Sequence, residues 1–178
     1  MSKKVLLLHG WGGSQTPHWQ AWLASELALD YGKVSFLKFT DIENPKLDVW
    51  MNELKVELED FKPDIVVCHS LATTLWFHLC NKETPTQIEK LYLVAPPSLK
   101  CPVEELKEFF PVQMPTNLYA DEALLVSSTN DPYMKIAEAQ RLQKELKIEM
   151  KILHNAGPIN SDSGYGKWPW ILEEVQKR

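Results

Sequence analysis

The sequence predicts a doubly wound α/β fold, in which helices cover both faces of a mostly parallel β-sheet. Short apolar segments alternate along the chain with longer segments of helical periodicity, an order typical of such folds. Most of the short segments are apolar at consecutive positions, as expected of strands buried on both faces. The 178 residues, of which 44% are hydrophobic and 24% charged, suffice for a hydrophobic core, so we predict one domain over residues 1–178.

Six segments have the length and composition of β-strands: residues 4–8, 34–39, 65–68, 91–94, 123–127 and 150–153. Apolar residues three or four positions apart predict helices between them, as in the stripe of Trp19, Leu23 and Leu27. The other predicted helices lie near residues 49–60, 71–79, 136–146 and 171–177. Residues 98–116, with three prolines around a short acidic helix, are the one candidate for a flap, so we expect no sizeable lid.

The composition argues against several classes of protein. The chain carries 19 Lys and Arg against 24 Asp and Glu, a formal net charge of −5, whereas nucleic acids and anionic membranes bind clustered basic residues. No apolar run approaches the length of a membrane span. The three cysteines form no CxxC pair, which argues against a disulfide framework and a zinc site. We therefore expect a cytoplasmic protein with no metal, no cofactor, no nucleic-acid partner and no membrane partner.

A glycine-rich loop, HGWGGS at residues 9–14, follows the first predicted strand. Its glycines permit a tight turn whose N–H groups can face an anion. The spacing matches neither GxGxxG nor GxxxxGK[ST], so a phosphate loop of a flavodoxin-like nucleotide-binding domain is the weaker interpretation. The alternative is one half of an oxyanion hole, with the N–H of Trp11 as donor, because the loop after an early strand supplies this group in many hydrolases.

The segment CHSLA at residues 68–72 joins a predicted strand to a predicted helix. A nucleophilic serine requires such a sharp turn, which exposes the hydroxyl of Ser70 and places the N–H of Leu71 beside the developing oxyanion. Cys68 and Ala72 stand where the GxSxG motif has glycines, but both are small. Serine is also a favoured N-cap, so an ordinary helix cap remains the alternative interpretation of Ser70.

The segment SSTNDPY at residues 127–133 follows the fifth predicted strand. Asp131 is a candidate for the carboxylate that orients a catalytic histidine, and the order Ser then Asp along the chain suits an α/β-hydrolase. The alternative is structural, since Asp131 followed by Pro132 is a common beginning of a helix.

Together these segments resemble one family, the small α/β-hydrolases related to retinoblastoma-binding protein 9 and the YdeN-like serine hydrolases. The resemblance also includes HWQAW at residues 18–22, LVAP at residues 93–96 and the terminal block at residues 155–169. It implies a three-layer α/β-hydrolase fold with about six mostly parallel strands. It further implies a Ser–Asp–His triad that hydrolyses small esters or related acyl substrates.

The chain departs from the family pattern at one decisive position. The family's terminal block reads Ala-Gly-His-Ile-Asn, but residues 156–160 of this chain are AGPIN, so Pro158 occupies the position of the triad histidine. A proline ring cannot accept a proton, and a serine hydroxyl without an adjacent base is a weak nucleophile. His154 is the candidate for a substitute base, although reaching Ser70 would require a rebuilt loop; its alternative is a histidine at a strand edge.

Two functions follow as hypotheses. The first is a serine hydrolase acting on a small-molecule acyl substrate, impaired by Pro158, with Ser70 as nucleophile and Asp131 as the orienting carboxylate. The N–H groups of Trp11 and Leu71 would hold the oxyanion. The second is a non-catalytic member of the fold that uses the same pocket or surface for binding; the sequence names no protein partner.

Overall fold

The computed structural model describes residues 2–30 and 32–177. In this part of the chain, six strands form one sheet in the order β2-β1-β3-β4-β5-β6, and every neighbouring pair is parallel. The strands are β1 (Lys4–Leu8), β2 (Lys33–Leu37), β3 (Ile65–His69), β4 (Ile88–Val94), β5 (Ala120–Ser128) and β6 (Glu149–Leu153).

Helices cover both faces of this sheet. They are α1 (Trp19–Leu29), α2 (Leu47–Phe61), α3 (Leu71–Lys82), α4 (Ile136–Leu146) and α5 (Pro169–Gln176). One hydrophobic core holds the inner faces of α2, α3 and α4, and a second core holds those of α1 and α5. Strand residues contribute alternately to the two cores: Leu6 and Leu8 to the first, Val5 and Leu7 to the second. The doubly wound α/β architecture predicted from the sequence, with three layers, is therefore confirmed.

The predicted elements agree with the observed ones in number and order. β4 and β5 begin three residues earlier than predicted, at Ile88 and Ala120. These added residues lie at the amino-terminal ends of β4 and β5. Several of their side chains are partly or fully exposed there, and polar residues interrupt the apolar run. The predicted flap contains a short 3₁₀ helix (Glu104–Phe109), and Leu106 and Phe109 are buried, so the segment packs against the first core.

The sheet order places one crevice at the carboxyl ends of β1 and β3. From β1 the chain passes to β2 on one side, whereas all later strands lie on the other side of β1. In open α/β sheets, ligands bind where the strand order reverses, because the loops after the two central strands separate there. The glycine-rich loop follows β1 and Ser70 follows β3, so both lie at this crevice.

Candidate active site

Ser70 forms the sharp corner between β3 and α3. Its backbone has φ 53° and ψ −120°, a region that non-glycine residues rarely adopt and that costs about 1–3 kcal/mol. The corner is held by backbone bonds: the Ser70 N–H donates to the Val94 carbonyl at 2.9 Å, and the Ser70 carbonyl accepts from the Thr73 N–H at 2.9 Å. The Ser70 side chain makes no capping hydrogen bond to α3, so the hydroxyl is free for another use.

The glycine-rich loop packs directly against this corner. A Cβ atom added to Gly10 would lie 3.0 Å from the carbonyl oxygen of His69 and 3.2 Å from the backbone nitrogen of Leu71. His9 fixes the loop, because its Nδ1–H donates to the Gly10 carbonyl at 2.8 Å and its Nε2 accepts from the Phe39 N–H at 3.0 Å. Burial lowers the pKa of His9, which is consistent with this neutral ring.

Ser70 lines a cavity of about 240 Å³ together with Trp11, Leu71 and Pro158. These are the positions at which the sequence places the nucleophile, both oxyanion donors and the missing base. The indole Nε1–H of Trp11 donates to the Glu43 carbonyl at 2.9 Å, which fixes the Trp11 side chain. Leu71 is the first residue of α3, and the N–H groups of a first helical turn have no acceptor inside the helix.

Asp131 lies in the loop that follows β5, and its carboxylate is buried. Its Oδ1 accepts the Tyr133 N–H at 2.9 Å. Burial raises the pKa of Asp131 to about 6, and this hydrogen bond opposes part of the rise. The helix-cap interpretation is wrong, because α4 begins at Ile136 with Lys135 as N-cap. Asp131 itself does not line the cavity, whereas its neighbour Tyr133 does.

The loop that carries Pro158 is tied to the end of β5 and the start of the Asp131 loop. Ser128 Oγ accepts the Ala156 N–H at 2.8 Å, and the side-chain oxygen of Asn130 accepts the Gly157 N–H at 2.7 Å. These bonds hold position 158 close to the loop of Asp131. The acid loop and the terminal loop thus form one unit, and Pro158 extends from it to the cavity of Ser70.

Two buried side chains support the Pro158 loop from the other side. The Nε2–H of His69 donates to the Pro158 carbonyl at 3.0 Å, and the Nε1–H of Trp19 donates to the Ile159 carbonyl at 2.8 Å. Burial lowers the pKa of His69 to about 4, so the ring is neutral at neutral pH. His69 also lines the cavity of Ser70.

His154, the candidate for a substitute base, is exposed just beyond β6 and does not line the cavity. Two other histidines do line it, His69 and His18. The Nδ1 of His18 accepts the Gln20 N–H at 3.1 Å as the N-cap of α1, and burial lowers the pKa of His18 to about 3.

Sequence reasoning missed part of the cavity wall. Residues 160–162 line it from the segment after Pro158, and Cys101 and Leu106 line it from the predicted flap. The prolines around residues 98–116 indicated an irregular segment but not the surface against which it packs.

Among residues 2–30 and 32–177, no group of three or more His, Cys, Asp or Glu side chains could hold a metal ion. Every helix within the described residues is too short or too polar to span a lipid bilayer.

Comparison with known proteins agrees with this geometry. YdeN of Bacillus subtilis strain 168 is 21% identical to the chain over an alignment of 179 positions, which covers 97% of this chain and 94% of YdeN. The crystal structure of the B. subtilis ydeN gene product superposes with a TM-score of 0.87 at 19% identity, covering 98% of this chain and 97% of that one.

Two further solved structures share the fold. A YdeN-like hydrolase from Pectobacterium atrosepticum has a TM-score of 0.78 at 22% identity, with 98% of this chain and 89% of that chain covered. The esterase domain of a Rhodothermus marinus protein has a TM-score of 0.64 at 14% identity, with 98% and 85% covered.

The serine hydrolase family model matches residues 5–177, a span that contains the glycine-rich loop, the Ser70 corner, the Asp131 loop and the Pro158 loop. With its parallel six-stranded sheet and its serine at the strand-to-helix corner, the chain belongs to the serine hydrolase family and has the α/β-hydrolase fold.

Proposed function

We propose that the protein is a serine hydrolase of small esters or related acyl compounds, working at the Ser70 cavity with an incomplete triad. The observation that carries the proposal is the backbone of Ser70, held at φ 53° and ψ −120° beside a cavity. A strained conformation persists only where the surrounding structure imposes it, and such strain is concentrated at functional sites. An ordinary N-cap needs no such strain, since N-cap residues usually have β-region dihedral angles.

In the proposed reaction, the Ser70 hydroxyl gives its proton to a solvent species while Oγ attacks the acyl carbon and an Oγ–acyl bond forms. The carbonyl oxygen becomes an oxyanion, which the N–H groups of Trp11 and Leu71 stabilise. The bond to the leaving alcohol then breaks and that alcohol takes up a proton. Water then attacks the acyl carbon and loses a proton to solvent, the Oγ–acyl bond breaks, and the acid leaves while Ser70 Oγ takes up a proton. No backbone hydrogen bond of the described residues uses the Trp11 N–H, which supports its role as a donor.

Position 158 determines the rate of both steps. A triad histidine removes the proton from the serine and later from the water, and Pro158 does neither. Hydrolases that lose a triad member retain about 10³–10⁴-fold catalysis over the reaction in water, from binding and the oxyanion hole. We therefore expect slow acylation, slow deacylation, and proton transfer to solvent species instead of a side chain.

Labelling with a fluorophosphonate tests this proposal, because its phosphorus bonds to Ser70 Oγ while fluoride leaves. We expect mass spectrometry to find a single label on Ser70 and none on the Ser70→Ala protein. The labelling rate should rise about tenfold per pH unit between pH 6 and 9, as expected when the hydroxyl has no base.

Two results would contradict the proposal. The absence of any label at Ser70 after prolonged incubation at pH 9 would favour the non-catalytic binding protein. A rate that reaches a plateau near neutral pH would show that a side chain other than residue 158 acts as the base. The folded state of Ser70→Ala is checked by its urea unfolding curve, which should match that of the unmodified protein.

A further inference from the structure

His18 carries a hydrogen-bond donor that nothing in the described chain satisfies. Its Nδ1 accepts the Gln20 N–H at 3.1 Å, so in the neutral ring the proton sits on Nε2. The Nε2 atom is buried and has no hydrogen-bond partner among the described residues. Only 4% of the residue is exposed, so solvent does not satisfy this donor either. A buried donor without a partner costs about 1–3 kcal/mol, and such groups are rare in native proteins.

The neighbouring rings do not supply the missing acceptor. The His69 ring lies 4.8 Å from that of His18 between centroids, and the Trp19 ring lies 5.5 Å away. His69 directs its own Nε2–H at the Pro158 carbonyl, and Trp19 directs its Nε1–H at the Ile159 carbonyl. No hydrogen bond joins the two histidines.

The place of His18 in the fold indicates what would accept this bond. His18 lines the same 240 Å³ cavity as Ser70, so a molecule positioned for attack by Ser70 lies beside it. Among residues 2–30 and 32–177, no Lys or Arg lines this cavity, and Asp162 is the one charged residue that does. A carboxylate or phosphate would therefore be disfavoured, whereas a neutral oxygen would pair with the Nε2–H.

We propose that His18 is a specificity-determining residue, whose Nε2–H binds a second, uncharged acceptor oxygen of the substrate in addition to the scissile carbonyl. The substrate class is then a short ester that carries an ether, hydroxyl or keto oxygen on its acyl or its alcohol portion. This inference rests on the proposed function for the identity of the reacting serine, but it makes a separate prediction about binding.

The first experiment measures binding without turnover. Ser70→Ala protein labelled with ¹⁵N-histidine is titrated with ethyl methoxyacetate and, separately, with ethyl butyrate, which has a methylene in place of the ether oxygen. A second matched pair, 2-methoxyethyl acetate and butyl acetate, places the same difference on the alcohol portion. We expect one of the two ether-containing esters, but neither of the simple alkyl esters, to shift the His18 Nε2–H signal downfield. Titrations in which all four esters leave that signal unchanged would overturn the proposal.

The second experiment measures specificity with His18→Asn. The Asn side chain can still accept the Gln20 N–H as an N-cap but lacks the Nε2–H. For each matched pair, we take the ratio of kcat/KM for the ether-containing ester to kcat/KM for the simple alkyl ester. This ratio is compared between His18→Asn and the unmodified protein, so that the intrinsic reactivity of the esters cancels. We expect the variant to lower this ratio about 3–10-fold for the pair that shifted the NMR signal, as for loss of one neutral hydrogen bond.

The two proposals fail separately. An unchanged ratio, with both esters still hydrolysed, would refute the role of His18 and leave the hydrolase proposal intact. If the His18 signal shifts in the Ser70→Ala protein but the unmodified protein is never labelled at Ser70, the hydrolase proposal is refuted and the acceptor site is retained. The far-UV circular dichroism spectrum and a cooperative urea unfolding transition are the control for the fold of His18→Asn.

Discussion

Gly10 and Ser70 approach each other so closely that a side chain at position 10 cannot be accommodated: a Cβ atom at Gly10 would lie 2.9 Å from the Cβ of Ser70. Real Cβ atoms do not come this close to a neighbouring carbon, so the two loops after β1 and β3 must separate if residue 10 is larger. The same contact fixes where the hydroxyl of Ser70 stands relative to the N–H groups of the glycine-rich loop.

We expect Gly10→Ala to lower the free energy of unfolding by about 1–3 kcal/mol, the usual cost of overpacking, and to slow fluorophosphonate labelling of Ser70. The matched control is Gly164→Ala, where a Cβ atom meets nothing within 4 Å but the backbone has φ +91°. Strain at this φ should also cost about 1–2 kcal/mol, yet leave labelling unchanged. Urea unfolding and the labelling rate are measured on both variants. Equal labelling rates would contradict the importance of the close approach.

Pro158→His should restore the base that Ser70 lacks. We expect kcat/KM for p-nitrophenyl butyrate to rise by about 10²-fold or more, the contribution typical of general acid–base catalysis. Pro158→Ala is the control, because it removes the proline ring without adding a base, and it should not raise the rate. If both variants gain equally, the effect comes from loop flexibility, and position 158 is not that of the base.

His154→Gln decides whether the exposed histidine beyond β6 takes part in the reaction of the unmodified chain. Because His154 does not line the Ser70 cavity, we expect the rate and pH dependence of fluorophosphonate labelling to stay the same. A clear loss of labelling near neutral pH would establish it as the substitute base and require a rearranged loop after β6.

The raised pKa of Asp131 makes stability depend on pH in a definite direction. The folded state holds the carboxyl proton up to about pH 6, whereas the ordinary pKa is 3.8. Between these values the folded state binds more protons, so the free energy of unfolding contributed by Asp131 falls as pH rises and is constant above pH 6.

Asp131→Asn removes this ionisation. We expect the variant, relative to the unmodified protein, to be more stable at pH 7.5 than at pH 4 by up to about 3 kcal/mol. Taking this difference between the proteins cancels the opposite pH dependence of the buried histidines, which both share. Urea unfolding at the two pH values provides the measurement. A difference that does not change with pH would show that the Asp131 carboxyl is not held in a poorly solvated environment.

Ser128 ties the Pro158 loop to the sheet through a buried bond. Ser128→Ala leaves the buried Ala156 N–H without an acceptor, which should cost about 1–3 kcal/mol and speed hydrogen exchange at that amide. Thr129→Val removes the neighbouring bond, from the Asn155 N–H to Thr129 Oγ1 at 2.9 Å. Both of those groups are exposed to water, so this control should lose less than about 1 kcal/mol. If both variants lose the same free energy of unfolding, the Ser128 hydrogen bond is not what holds the Pro158 loop to the sheet.

The sequence by itself determined the layered α/β architecture, because strands buried on both faces must be apolar at consecutive positions and their helices must carry one apolar stripe. Residues 65–68 are such an apolar run in a strand, and Trp19, Leu23 and Leu27 form such a stripe on a helix. The motif at residues 68–72 likewise indicated the corner at Ser70, and the comparison of residues 156–160 with a family pattern exposed the absent histidine.

Only the tertiary structure decided how residues far apart in the chain face one cavity. The local structure at Asp131 is an example. A carboxylate before a proline has the same sequence pattern whether it caps a helix or lies in a loop, and only the start of α4 at Ile136 excluded the cap. His69 and His18 carry no local signal of a shared cavity, because their positions depend on how α1, β3 and the Pro158 loop pack. Side-chain environment is a property of long-range contacts, and these are absent from any window of sequence.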